Sequence, residues 1–100
     1  MSIIILKENN REKFLHLIPP GILPMLEEKD VFALGLLEHQ EDGEHPMGIL
    51  ISQLDEFGAE ILWIYVHPNL REKGAGTKLL YTLIQILKSD EHFQTVTCFL

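Results

Sequence analysis

Glu60-Ile61-Leu62-Trp63-Ile64-Tyr65-Val66-His67-Pro68-Asn69-Leu70-Arg71-Glu72-Lys73-Gly74-Ala75-Gly76 is the stretch on which the fold turns. After its opening carboxylate, the segment to Val66 is aliphatic, aromatic or β-branched, and it makes the strongest strand in the chain. From Gly76 the period changes. Leu79, Leu80, Leu83, Ile84 and Leu87 recur at helical spacing, leaving Lys78, Gln85 and Lys88 for the solvent face. A buried strand, a glycine turn and an amphipathic helix therefore follow one another. The first turn of a helix leaves backbone N–H groups unpaired and carries a partial positive charge. Glycines let a ligand approach that backbone and supply positive φ where the turn needs it. Together these features make a phosphate cradle, and Arg71, Lys73 and Lys78 bring full charges around it. In a chain with almost twice as many acids as bases, no Asp or Glu occurs from Lys73 through Ser89. A helix without an anionic ligand would normally carry carboxylates in its first turn.

Two common phosphate motifs fail here. A P-loop needs Gly-x-x-x-x-Gly-Lys-Ser/Thr, which Gly74-Ala75-Gly76-Thr77-Lys78 does not provide. The dinucleotide fingerprint needs a third glycine three residues after Gly76, where Leu79 stands, and it opens a parallel sheet rather than following a meander.

Working outward, Ile3 to Lys7 reads as a first strand. Asn9 fits a helix N-cap, with Glu12 completing a capping box, and that helix runs through Phe14, Leu15 and Ile18 until Pro19-Pro20-Gly21 ends it. A short helix from Leu23 to about Lys29 follows, with Pro24 in its first turn. Val31 to Glu38 and Met47 to Leu54 are strands around the turn Glu41-Asp42-Gly43, and Gly35 weakens the first of them. The turn Asp55-Glu56-Phe57-Gly58 leads into the strong strand, so three strands form a meander. Asp90-Glu91-His92 closes the amphipathic helix, and Thr95 to Leu100 is a last strand. The strong strand, the helix and the last strand make a βαβ unit, whose two strands are parallel. The order β-α-α-β-β-β-α-β defines an α+β fold with a mixed, mostly antiparallel sheet and flanking helices.

One hundred residues hold a single domain, 1–100, and nearly half are hydrophobic, as a folded globule requires. The formal charge of −7 opposes non-specific binding to nucleic acid and suits a cationic partner. Cys98 is the only cysteine, so no internal disulfide forms and a reducing compartment is expected. The apolar run after Met1 is too short for a signal peptide core, and nothing approaches the ~20 apolar residues of a membrane span. A soluble, cytoplasmic protein is expected, with neither membrane nor nucleic acid as a partner.

Val66-His67-Pro68-Asn69-Leu70-Arg71-Glu72-Lys73-Gly74-Ala75-Gly76 resembles the motif Val-x-Pro-x-x-Arg-x-x-Gly-x-Gly/Ala of the GNAT superfamily, the acetyl-coenzyme A dependent N-acetyltransferases. The element order from Ile3 to Leu100 is similar to the first two-thirds of that fold. The resemblance implies that backbone N–H groups of Arg71, Glu72, Lys73, Gly74, Ala75, Gly76 and Thr77 hold the coenzyme diphosphate. It also implies that Ile64, Tyr65 and Val66 pair with the pantetheine arm like an added strand. In the family this strand carries a bulge and splays from its parallel neighbour, so simple alternation does not decide which way Tyr65 points. The implied function is acetyl transfer from acetyl-coenzyme A to a primary amine of a small molecule or protein. The alternative is a non-catalytic acyl-coenzyme A binding module, or a domain active only inside an assembly.

For the chemistry, the Val66 backbone N–H is the candidate donor to the oxyanion. Glu60 is the candidate general base. It lies fourteen positions before Gly74 in the context Ala59-Glu60-Ile61, and histone-type members of the superfamily place a catalytic Glu at the same offset. A setting beside Ile61 and Trp63 is expected for it. His67, Cys98, Trp63 and Phe57 read as packing or surface residues. His39 and His45 flank an acidic turn without a plausible ligand set, so no metal is expected.

The family fold continues past the last strand with a helix and two strands, a part that commonly supplies the Tyr protonating the leaving thiolate, so no general acid is assigned. Three explanations stand: a fragment, which is favoured, a sheet completed by dimerisation or another chain, or a short coenzyme-binding relic. Association in solution is the expectation, since the last strand would leave an apolar edge and face uncovered.

Overall fold

The protein is described from a computed structural model, which covers residues 1–56 and 58–89 and the backbone of 95–98. Five strands lie in one sheet in chain order: β1 (Ser2–Ile5), β2 (Val31–Gln40), β3 (Gly43–Leu54), β4 (Gly58–Val66) and β5 (Thr95–Cys98). The pairs β1–β2, β2–β3 and β3–β4 are antiparallel and β4–β5 is parallel. The connections explain this: two short turns can only reverse the chain, whereas helix α1 (Ala75–Lys88) carries it back for a parallel return. The mixed α+β sheet read from the sequence is the sheet observed. Phe57, residues 90–94, residues 99–100 and the side chain of Cys98 lie outside the described residues, and with them the expected helix stop at Asp90-Glu91-His92 and the far end of the last strand.

The N-terminal helices differ from expectation. Both are short 3-10 helices, η1 (Arg11–Leu17) and η2 (Leu23–Glu27). Proline-bounded segments this short do not build the long hydrogen-bonded ladder that favours an α-helix. Nor does Asn9 cap the first. Asn10 precedes it, and its side chain accepts from the Lys7 N–H at 2.7 Å and donates to the Ile5 carbonyl at 3.0 Å, so it ties off the end of β1 rather than capping the helix. An Arg11–Glu27 ion pair joins η1 to η2.

Hydrophobic residues cover both faces of the sheet. On one face α1 buries Ala75, Leu79, Leu83 and Leu87 against Leu34, Leu36, Leu50, Ile61 and Val66. On the other, Phe14 and Ile18 pack over Ala33, Leu37, Ile49 and Ile51, with Leu62, Trp63 and Tyr65 at the margin. Gly35, unfavourable by strand propensity, lies beneath the Phe14 ring: a Cβ there would stand 2.5 Å from Phe14 Cζ. The missing side chain is what lets the ring lie on the sheet.

The register of β4 shifts once. Ile51 pairs with Trp63 but Ser52 pairs with Ile61, which leaves Leu62 as the extra residue of a β-bulge. Leu62 and Trp63 consequently face the η1 side together, while Ile61 and Ile64 face α1.

Candidate active site

Two regions of β4 carry the predicted residues. At its C-terminal end the chain leaves the sheet through His67 and enters a third 3-10 helix, η3 (Pro68–Lys73), before α1. Pro68 suits the first turn of a helix because its missing N–H would be unpaired there anyway, and His67 Nδ1 accepts from the Asn69 N–H at 3.2 Å. The His67 ring thus closes this turn. Gly74 joins the two helices with φ +76°, a left-handed conformation that a side chain would strain. The Lys78 N–H is the first to bond into α1, to the Gly74 carbonyl at 3.0 Å. The N–H groups of Ala75, Gly76 and Thr77 therefore stand ahead of the ladder at the positive end of the helix.

The residues of this end differ in what they offer. Ala75 is fully buried by its side chain against the sheet, so only its main chain can reach a ligand. Glu72, Lys73, Gly74 and Thr77 are exposed. The first turn holds no acidic residue, and Arg71 and Lys73 supply the last turn of η3. Gly76 does not owe its missing side chain to internal crowding, since a Cβ would meet only Val66 Cγ2 at 3.7 Å. The space over it suits an anion lying close to the backbone, so the residues present fit a diphosphate.

The orientation of the strand's last peptides follows from one hydrogen bond. The His67 N–H binds the Met47 carbonyl at 2.7 Å, and Gly48 is opposite Val66 in register. Antiparallel pairs alternate between bonded and non-bonded, so Val66 and Ile64 turn their N–H and C=O groups away from β3. Pairing with β5 runs from Gly58↔Thr95 to Ile61↔Cys98, and among the described residues Leu62–Val66 have β3 alone as a strand neighbour. Among the described residues no strand meets the outward N–H and C=O of Ile64 or the outward N–H of Val66, while the Val66 carbonyl accepts from Arg71 Nε at 2.8 Å. Tyr65 bonds toward β3, and its side chain faces the η1 side.

Glu60 lies at the other end of β4, roughly 20 Å from Val66 by strand rise. Paired with Gln53, it is partly buried on the η1–η2 side and lines a cleft of about 750 Å³ with Lys29, Asp30, Gln53, Leu54, Asp55 and Glu56. With four carboxylates and one lysine, this cleft favours cations. Asp55 also accepts from the Gly58 N–H at 2.8 Å, shaping the hairpin turn. Trp63 does not share this cleft, contrary to the expected setting of Glu60. The bulge carries it into a second cleft, of about 480 Å³, lined by His16, Leu17, Ile18, Pro19, Pro20, Trp63 and Tyr65. There the indole N–H donates to the Leu17 carbonyl at 3.1 Å, fixing the ring. The sequence signalled Pro19-Pro20 only as a helix stop. Their role as a cleft wall depends on the sheet twisting Trp63 beneath them, which no local pattern encodes.

His45 pairs with Asp42 at 2.8 Å on the β2–β3 turn, where the hydrogen bond and charge of His45 hold the Asp42 carboxyl below its usual value. Among the described residues no three His, Cys, Asp or Glu side chains gather as metal ligands. No described helix is long and apolar enough to cross a membrane.

An α+β sheet with a glycine-capped, acid-free helix start beside the end of a bulged strand is the architecture of an acetyltransferase-type fold. The chain belongs to the Acetyltransferase (GNAT) family, whose model matches residues 6–99. No curated protein sequence matches it. Solved structures resemble it over almost its whole length. An acetyltransferase of Trypanosoma brucei superposes with a TM-score of 0.74 at 20% identity, covering 99% of this chain and 82% of that one. An aminoglycoside acetyltransferase from an uncultured soil metagenomic sample, solved with sisomicin, gives 0.75 at 21% identity, covering 99% and 76%. The ribosomal-protein-alanine N-acetyltransferase of Brucella melitensis biovar Abortus 2308 gives 0.73 at 20% identity, covering 100% and 80%. At these identities the likeness establishes the fold alone.

Proposed function

We propose that this protein transfers the acetyl group of acetyl-coenzyme A to a primary amine. The observation that carries the reading is the pairing of an anion cradle with a free strand edge. The N–H groups of Ala75, Gly76 and Thr77 converge at the start of α1, where Gly76 leaves space that packing does not require. Immediately beside them, the outward main-chain groups of Ile64 and Val66 can pair with the amide-bearing pantetheine arm. Arg71, Glu72, Lys73 and Gly74 complete the backbone around the diphosphate.

The chemistry follows from the residues along β4. Glu60 takes a proton from the acceptor ammonium through a chain of waters that spans the distance along β4, and the neutral amine attacks the thioester carbonyl. A C–N bond forms, and the Val66 N–H stabilises the oxyanion. Collapse breaks the C–S bond, the nitrogen gives up its remaining extra proton to solvent as the amide forms, and the thiolate takes one proton from solvent as it leaves. The acidic lining around Glu60 supports a cationic acceptor, as either a small molecule or a protein amino group. A sheet completed by a second copy is compatible with this reading.

The test is thiol release from acetyl-coenzyme A across a panel of primary amines, with coenzyme binding measured by calorimetry. Glu60→Gln is expected to lower kcat by about 10²-fold or more and leave coenzyme binding intact. Binding without release for any amine would replace the transferase reading by that of an acyl-coenzyme A binding module or an assembly-dependent domain. Absence of coenzyme binding would remove both.

A further inference from the structure

Arg71 occupies the place where the motif puts a cation for the diphosphate, yet its guanidinium is turned back toward the strand. Nε–H donates to the Val66 carbonyl at 2.8 Å, and the guanidinium carbon lies 5.7 Å from the centre of the Tyr65 ring, within cation–π range. The carbonyl it takes is one that the sheet leaves unpaired, because the alternation of β3–β4 bonds turns Val66 outward. In an extended residue the N–H and C=O point to the same edge. Anchoring the carbonyl of Val66 therefore also fixes the direction of its N–H. That constraint matters at this position. Val66 is the last residue of β4, and Pro68, two residues on, has no N–H with which to continue a ladder. Beyond Val66, among the described residues, the strand ladder continues through His67 N–H to the Met47 carbonyl alone.

The second contact runs in the other direction. The Tyr65 ring beneath the guanidinium is also a wall of the cleft formed with Trp63, Pro19 and Pro20. One side chain of the coenzyme loop thus touches both the peptide next to the thioester and a wall of the neighbouring cleft.

The geometry points to Arg71 as a positioning residue: its side chain holds the Val66 N–H in line for the oxyanion and holds the Tyr65 ring in place, beyond any charge it lends the diphosphate. This rests on the transferase reading for its catalytic meaning, but the strut itself exists in the free protein and can be measured there. Lysine keeps the charge and loses the planar fork and the Nε–H, so Arg71→Lys separates the two roles and Arg71→Gln removes both. Both variants are expected to fold, since Arg71 lies on the surface.

Three readouts decide it. Amide hydrogen exchange at His67, whose N–H bonds the Met47 carbonyl and belongs to the same peptide as the anchored Val66 carbonyl, is expected to speed up about tenfold in both variants of the ligand-free protein, as one charge-assisted hydrogen bond is lost. Coenzyme A affinity by calorimetry is expected to stay within about fivefold of wild type in Arg71→Lys, where the charge remains. The kcat for the best amine is expected to fall about tenfold in Arg71→Lys with the KM for acetyl-coenzyme A nearly unchanged. The proposal is overturned if exchange is unaltered, or if Arg71→Lys restores kcat fully and Arg71→Gln loses coenzyme affinity alone. A wild-type protein that binds no coenzyme would remove the transferase reading, and the exchange measurement would still decide whether the strut exists.

Discussion

Replacing Gly76 separates a glycine kept for a ligand from one kept for the fold. Gly76 is the second residue of α1, and its φ is not positive, unlike that of Gly74. An added Cβ would lie at an ordinary contact distance, 3.7 Å from Val66 Cγ2. On folding grounds a side chain should therefore be welcome. Gly76→Ala is expected to raise stability by about 0.5–1 kcal/mol through helix propensity, and Gly76→Val by only a few tenths because of its β-branch. Gly74→Ala should instead cost about 1–2 kcal/mol, since its φ of +76° is left-handed. Binding reverses the order. The valine methyls would occupy the space over the N–H groups of Gly76 and Thr77, and two charge-assisted hydrogen bonds at about 1.5–3 kcal/mol each place the loss near 3–6 kcal/mol, or roughly 10²–10⁴ in Kd. Alanine, which the motif also allows, is expected to cost less than about tenfold, or 1.4 kcal/mol. Urea denaturation supplies the first quantity and calorimetry with coenzyme A the second. A Gly76→Val protein that binds coenzyme A like wild type, or that unfolds instead, would refute the assignment of that space to a diphosphate.

Gly35→Ala is expected to destabilise the protein by about 1–3 kcal/mol, because the new Cβ meets the fully buried Phe14 ring at 2.5 Å. Combining it with Phe14→Leu in a double-mutant cycle should recover part of that loss, and strict additivity in urea denaturation would contradict the packing argument. At the β2–β3 turn, an NMR titration should find the Asp42 carboxyl below 3.8, and His45→Ala should move it back up toward that value. A carboxylate with a lowered folded pKa contributes stability above its unfolded pKa and loses it as pH falls through the folded one. Asp42 is fully exposed, so the unfolding midpoint at neutral pH should stay where it is in His45→Ala.

The parts of the fold legible in sequence are those where period and chemistry agree. Leu79, Leu83 and Leu87 repeat at helical spacing and all three pack on the sheet. The strand to Val66, the glycine turn and the parallel return of β5 followed from one short stretch. The 3-10 character of Arg11–Leu17 was hidden, because propensities do not distinguish a tight helix from an α-helix. Asn9 and Asn10 are equivalent as letters, and only the end of β1 selects Asn10. In the site, the glycine turn was legible and the heading of Arg71 was not, since it depends on a carbonyl turned outward by the alternation of β3–β4 bonds. The neighbours of Glu60 come from two separate segments of the chain, 29–30 and 53–56, which no local pattern assembles.

The bulge at Leu62 also sets a parity. Glu60 and Tyr65 are five residues apart, an odd interval that an unbroken strand would split between opposite sides of the sheet. The supernumerary residue restores an even step, so the acidic and aromatic clefts open onto the same side. Deleting that one leucine would shorten the interval to four, an even step that an unbroken strand keeps on one side, so the carboxylate would hold its face, the strand would lose only its bulge, and the glycine turn would be untouched.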